Sequence, residues 1–298
     1  LHDGALPDHD RSHCLLNARF PLLRLALASL TALLLAGCQT VVFGLANRGI
    51  GQPDATAVYD TPHGLSLDIY RPANAKANAP VIVFFYGGSW QRGSRTQYRF
   101  VGRRLTETGA VVMVADYRLA PQPPFPGFMQ DGARAVAWAH QHASQYGGDP
   151  QRIFIAGHSA GAQIAALLGT DARYLQAVGM TPKQLAGVIG LSGPYDFAIK
   201  GDKDLERAFG PAAQWPDAMA VRFVNGDEPP FFLTVGTHDK IVSPQQTFAL
   251  AQKLEAAGVP VQTLSLPDGS HFTPLVELYA PKRGPRLLAS LRAFVQQP

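Results

Sequence analysis

Ser159 lies within Gly157-His158-Ser159-Ala160-Gly161, a short segment with glycine at both ends. An apolar run at 152–156 precedes it and a helix-like run at 162–168 follows. Strand, tight turn and helix are the setting in which a G-x-S-x-G serine is held strained, with its hydroxyl exposed on the sheet edge at the N-terminus of the helix. Small flanking residues let strand and helix approach closely enough. A serine hydroxyl is a weak nucleophile at neutral pH. It must pass its proton to a base, and the base needs an orienting acid. The chemistry in prospect is acyl transfer.

Both partners come later in the chain. Residues 231–236 (Phe-Phe-Leu-Thr-Val-Gly) read as a buried strand, and Thr237-His238-Asp239-Lys240 follows. Residues 261–266 read as the next strand, whose loop Pro267-Asp268-Gly269-Ser270-His271-Phe272 delivers a histidine. We assign Ser159 as nucleophile, His271 as general base and then general acid, and Asp239 as the carboxylate that orients the imidazole. As ordinary structure, Asp239 would cap the helix from Pro244 onward and His271 would be a loop histidine. Asp196, after the strand at 186–191, is a rival acid, and Asp268 is placed to shape the histidine's turn. A third requirement is an oxyanion hole. Residues 80–85 read as a buried strand that runs into Tyr86-Gly87-Gly88-Ser89-Trp90. Adjacent glycines allow backbone N–H groups to face the cavity, so Gly87 and Gly88, with the N–H of Ala160, are the expected donors.

These loops need a scaffold. Strand-like runs alternate with helical stretches from Leu65 onward, which predicts a mostly parallel sheet with helices on both faces. Residues 65–70 alternate like an early antiparallel strand, 110–115 form a central strand, and 131–146 a helix ended by Gly147-Gly148. Such sheets place ligands at the carboxyl ends of their strands, where Ser159, Asp239 and His271 all fall. Residues 197–229 interrupt the alternation and read either as a small insertion over the site or as a plain surface excursion. Trp90, Phe125, Phe128 and Tyr195 fall on loops near the same edge. Together they would suit an apolar or aromatic substrate group. His140 and His142 resemble metal spacing, but i and i+2 diverge on a helix. With no H-E-x-x-H, C-x-x-C or phosphate loop, neither a metal nor another cofactor is expected.

The chain resembles the α/β-hydrolase superfamily, in the carboxylesterase branch near the hormone-sensitive-lipase-like and feruloyl-esterase-like (BD-FAE) enzymes, over residues 55–298. Matching segments are Tyr86-Gly87-Gly88-Ser89-Trp90, Asp116-Tyr117-Arg118-Leu119-Ala120-Pro121, Gly148-Asp149-Pro150, Gly157-His158-Ser159-Ala160-Gly161 and Leu191-Ser192-Gly193-Pro194-Tyr195-Asp196. The resemblance implies an α/β fold with a central sheet of about eight strands. It also implies hydrolysis of small to medium carboxylic esters, with Tyr86, Trp90, His158 and Tyr195 as candidate substrate contacts. Tyr86 stands where these families carry histidine. That departure puts the support of the oxyanion loop in question, although a tyrosine hydroxyl can still donate a hydrogen bond. Asp116 and Arg118 read as turn scaffolding. An arylformamidase or amidase with the same triad is an alternative, as is a surface-binding lipoprotein with a degenerate site.

The front of the chain reads as a leader. Arg19 and Arg24 precede an apolar run at 25–34, and Leu35-Ala36-Gly37-Cys38 follows. A basic region, a short apolar run and a small-residue site make a secretory signal, too short for a comfortable transmembrane helix. Leu-Ala-Gly-Cys resembles the bacterial lipoprotein box, which implies cleavage before Cys38 and its lipidation. The expected division is a leader over 1–37, a lipid-anchored tether over 38–54 and a catalytic domain over 55–298. A secretory signal with an incidental cysteine is the plain alternative. Gln39 suggests outer-membrane sorting, so the bacterial cell envelope is the expected location. The first methionine is Met113, and translation is expected to begin near Leu15 or Leu16. The net charge of +4 comes from scattered residues, so no nucleic-acid partner is expected. No obligatory protein partner is evident either.

Overall fold

In the computed structural model the described residues are 42–74, 77–280 and 285–297. The leader, Cys38 and the start of the expected tether lie outside them. Two units are separated near residue 48; in the first, 42–46 are helical. The second, residues 49–298, is built on one eight-stranded sheet of order β1-β2-β4-β3-β5-β6-β7-β8. Its strands are β1 (Ala55–Asp60), β2 (Leu65–Tyr70), β3 (Ala79–Phe85), β4 (Val111–Ala115), β5 (Gly148–His158), β6 (Leu185–Leu191), β7 (Phe231–Gly236) and β8 (Val261–Leu266). β2 pairs antiparallel with β1 and β4, and every later pairing is parallel. Every residue of β3, β4 and β7 is buried. Strands covered on both faces need apolar residues at every position rather than at alternate ones, which is why these runs are continuous in the sequence.

The helices are α1 (Arg99–Leu105), α2 (Gly127–His142), α3 (Ala160–Thr170), α4 (Ala172–Gln176), α5 (Lys203–Phe209), α6 (Pro244–Ala256), α7 (Thr273–Tyr279) and α8 (Pro285–Val295). α2 and α3 pack on each other and on β5, while α1, α7 and α8 form a second group. Phe294 of α8 reaches the sheet at Phe154 and Phe232. α3 is buried at all of its positions, so its sequence, Ala-Gly-Ala-Gln-Ile-Ala-Ala-Leu-Leu-Gly-Thr, carries no charge. Its one long polar side chain is Gln163.

One expectation shifts. The helix expected at 131–146 is α2, which begins earlier at Gly127 and gives way to a 3₁₀ turn over Ala143–Tyr146, closed by Gly147 at φ 83°. The segment 197–229 holds α5 and two 3₁₀ turns, Ala212–Ala218 and Ala220–Arg222. Asp54, just ahead of β1, donates its N–H to Ile69 O (2.8 Å), and its carboxylate accepts from Arg71 N and Arg103. The Asp116–Pro121 segment scaffolds the turn as expected. Asp116 pairs with Arg95, and the Arg118 guanidinium pairs with the fully buried Asp131, which Arg134 also reaches. Among the described residues no helix is long and apolar enough to cross a membrane.

Candidate active site

β5 ends at His158 and α3 begins at Ala160, leaving Ser159 at φ 54°, ψ −121°. For a residue with a Cβ this is strained, by about 1–3 kcal/mol. The strain persists because the surroundings dictate it. A Cβ on Gly157 would come 2.2 Å from the Gly161 carbonyl, and one on Gly161 would come 2.0 Å from Phe85 O. The Ser159 N–H donates to Leu191 O at 2.9 Å, tying the turn to the end of β6.

His271, on the loop after β8, sets Nε2 2.9 Å from Ser159 Oγ. Its Nδ1 lies 2.8 Å from Asp239 Oδ2, on the loop after β7. With the proton on Nδ1 donated to the carboxylate, Nε2 is free to accept the serine proton. The other Asp239 oxygen accepts the N–H groups of Ile241 (2.8 Å) and Val242 (2.9 Å). Burial pushes the Asp239 carboxyl up, but hydrogen bonds from His271 and these two amides outweigh it and leave the acid below its ordinary value. A carboxylate held ionised in this way keeps His271 in the productive tautomer. The rival acids stand apart. Asp196 is exposed, with its N–H directed to Gln246 Oε1. Asp268 faces His238 at the surface.

The oxyanion donors need one correction. The Gly87 N–H donates to the Tyr98 hydroxyl at 3.2 Å and is therefore engaged. Gly87 instead makes room: a Cβ there would lie 2.8 Å from His158 Nδ1 and 3.1 Å from Ser159 Cβ. Among the described residues the N–H groups of Gly88, Ser89 and Ala160 make no hydrogen bond. Ser89, which the sequence did not single out, sits at φ 53° and lines the cleft above Ser159. The two segments that carry these donors meet at the nucleophile.

Three of the four expected substrate contacts are buried away from the cleft. Tyr86 is buried and stacks on Tyr117 with centroids 4.6 Å apart. The Tyr117 hydroxyl donates to Tyr86 O at 2.8 Å. The position that carries histidine in related enzymes thus supports the loop from behind through an aromatic pair. His158 donates Nε2–H to the His271 carbonyl (3.1 Å), while its Nδ1 is buried without a partner. Burial and the neighbouring His271 lower its pKa to about 3, so the ring is neutral. Tyr195 is fully buried, packed where a Cβ on Gly190 or Gly193 would collide with its ring or hydroxyl. Trp90 does reach the cleft. The cleft has a volume of about 830 Å³, within the usual range for small-molecule sites, and includes Phe197, Leu205 and Phe248 in its lining.

A strained serine between strand and helix, served by an acid and then a histidine from the next strand ends, is the arrangement of the α/β-hydrolase class. Within that class the chain belongs to the BD-FAE family, whose profile matches residues 67–254. Esterase LipC of Mycobacterium tuberculosis is 30% identical over 71% of this chain and 57% of its own. A probable isoprenylcysteine alpha-carbonyl methylesterase of Oryza sativa is 30% identical over 88% of this chain and 66% of its own. The chain thus spans about half to two thirds of the length of these relatives. Among solved structures, native esterase Est2 of Thermogutta terrifontis matches with a TM-score of 0.65 and 26% identity, over 80% of this chain and 88% of that one.

Proposed function

We propose that this protein is a serine carboxylesterase acting on small to medium esters. Ser159 Oγ attacks the ester carbonyl while His271 Nε2 takes its proton. The oxyanion is held by the Ala160 N–H and the Gly88–Ser89 turn. His271 returns the proton to the departing alkoxide, and an acyl group remains on Ser159. Water, deprotonated by His271, then releases the acid and restores the enzyme. The observation that carries this reading is the unbroken series of contacts from Ser159 through His271 to Asp239, at 2.9 and 2.8 Å. The relatives' names, all esterases, agree with it. The test is an acyl-chain and aryl-ester panel run beside N-formyl aromatic amides, with wild type and Ser159→Ala. Ser159→Ala should lose several orders of magnitude in turnover with unchanged unfolding. Near-normal rates would mean that another group is the nucleophile, and a preference for the formamides would make the enzyme an amidase.

We also propose lipid anchoring in the bacterial envelope through Cys38, on the strength of its basic, apolar and Leu-Ala-Gly-Cys context. In cells, Cys38→Ser should move the protein from the membrane fraction to the soluble one; unchanged partitioning would refute the anchor.

A further inference from the structure

The oxyanion donors come from two separate segments, the start of α3 (Ala160) and the loop after β3 (Gly88 and Ser89). Stabilising a developing negative oxygen requires donors fixed before the reaction begins, so something must set the separation of these segments. The side chain of Gln163 spans them. It is fully buried, and both ends of its amide are used. Oε1 accepts the Trp90 indole N–H at 3.0 Å, and Nε2 donates to Ala218 O at 2.9 Å. Its backbone N–H also donates to Ser159 O at 3.1 Å, one helical turn back.

At the other end, Trp90 is the residue after Ser89, and the two sit at φ 59° and 53°. Consecutive left-handed residues with side chains revert to ordinary backbone unless they are held. Trp90 is held at its carbonyl, which accepts from Ala120 N at 2.8 Å. Its ring is held by Phe197 (stacked, 5.4 Å) and Phe209 (edge-on, 4.7 Å) and by the Gln163 amide. The aromatic contacts fix the plane of the indole, and the hydrogen bond to Gln163 ties it to α3.

We infer that Gln163 is a positioning residue for the oxyanion hole, acting through the Trp90 indole to hold the Gly88–Ser89 turn against the start of α3. The inference rests on the esterase reading. Gln163 touches no substrate, and its contact with Ala218 also joins the 197–229 insertion to the same amide.

The test uses the full chain with Gln163→Met, Trp90→Phe and the double variant. It measures kcat and KM on an aryl acetate, affinity for an aryl trifluoromethyl ketone that forms an oxyanion on Ser159, and thermal unfolding. Gln163→Met should lower kcat by about 10- to 100-fold, short of the loss of a whole donor. KM should stay within about twofold, and ketone affinity should fall by the same factor as kcat. The double variant should be no slower than Trp90→Phe, since the amide acts through the indole. Should Gln163→Met not fold, Trp90→Phe, which removes the indole donor and leaves the Gln163 amide bonded to Ala218, carries the same measurements. A kcat within twofold of wild type, unchanged ketone binding, or losses that multiply in the double variant would overturn the inference alone. Wild-type protein that neither turns over esters nor binds the ketone would overturn the esterase reading and this inference with it.

Discussion

Asp239→Asn separates the catalytic and structural duties of one side chain. In the wild type, one carboxylate oxygen accepts the Ile241 and Val242 N–H groups and the other accepts His271 Nδ1–H. An asparagine can place its carbonyl oxygen where the two backbone donors are, which turns its NH₂ toward His271. Nδ1 must then accept, the ring proton moves to Nε2, and Nε2 presents a proton to Ser159 Oγ instead of a lone pair. The base is lost while the backbone bonds survive. By analogy with other serine hydrolases, kcat should drop by about 10⁴-fold, about 5 kcal/mol of transition-state stabilisation. Unfolding free energy should fall only by about 1–3 kcal/mol, the scale of one charge-assisted hydrogen bond. Asp239→Ala should lose a similar amount of activity and more stability, because the Ile241 N–H and the buried Val242 N–H are left unpaired. Initial rates on an aryl acetate at pH 6–9, beside urea unfolding, check both halves. An Asp239→Asn variant within tenfold of wild type would refute the tautomer argument. So would an Ala variant as stable as the Asn variant.

Two further outcomes follow from the packing. His158 has its folded pKa lowered to about 3 against an ordinary 6.5, so between these values the unfolded chain binds a proton that the folded one refuses. Its stabilising effect is complete above pH 6.5 and is lost as pH falls toward 3, by up to about 5 kcal/mol. His158→Gln keeps a donor for His271 O and should flatten the fall in urea-unfolding free energy between pH 7 and pH 4; an equally steep fall would count against the assignment. Gly161→Ala forces a Cβ to within 2.0 Å of Phe85 O and should cost about 3 kcal/mol or more. Gly64→Ala, at φ 65° with open space around it, should cost about 1–2 kcal/mol. Thermal unfolding of the pair tests the contrast, and equal losses would contradict it.

The triad and its scaffold were legible because each signal is local. β2, β7 and β8 have the limits expected from their apolar runs, and each catalytic residue lies on the turn or loop that follows a strand. β1 escaped notice because it is an edge strand of alternating half-exposure, short of a continuous apolar run. What holds the site together was not legible. The Tyr98 hydroxyl reaches Gly87 from 11 residues away, and the Trp90 indole meets Gln163 across 73. Neither has a spacing or flanking pattern to mark it, since a buried polar partner is chosen by the fold. The same blindness made Tyr86, His158 and Tyr195 look like substrate contacts. Loop position predicts proximity to the cleft, but not which way a ring turns.

Tyrosine at position 86 has a consequence for proton economy. A histidine in that place could take up a proton within the physiological range and change the charge behind the loop. The buried phenol of Tyr86 has its ionisation pushed upward, chiefly by desolvation and then by Asp116. The Tyr86 phenol behind the oxyanion loop thus stays neutral from mildly acidic to strongly alkaline solution. Acidity can then modulate turnover through the nucleophile's own partners without also loosening the turn that receives the carbonyl oxygen.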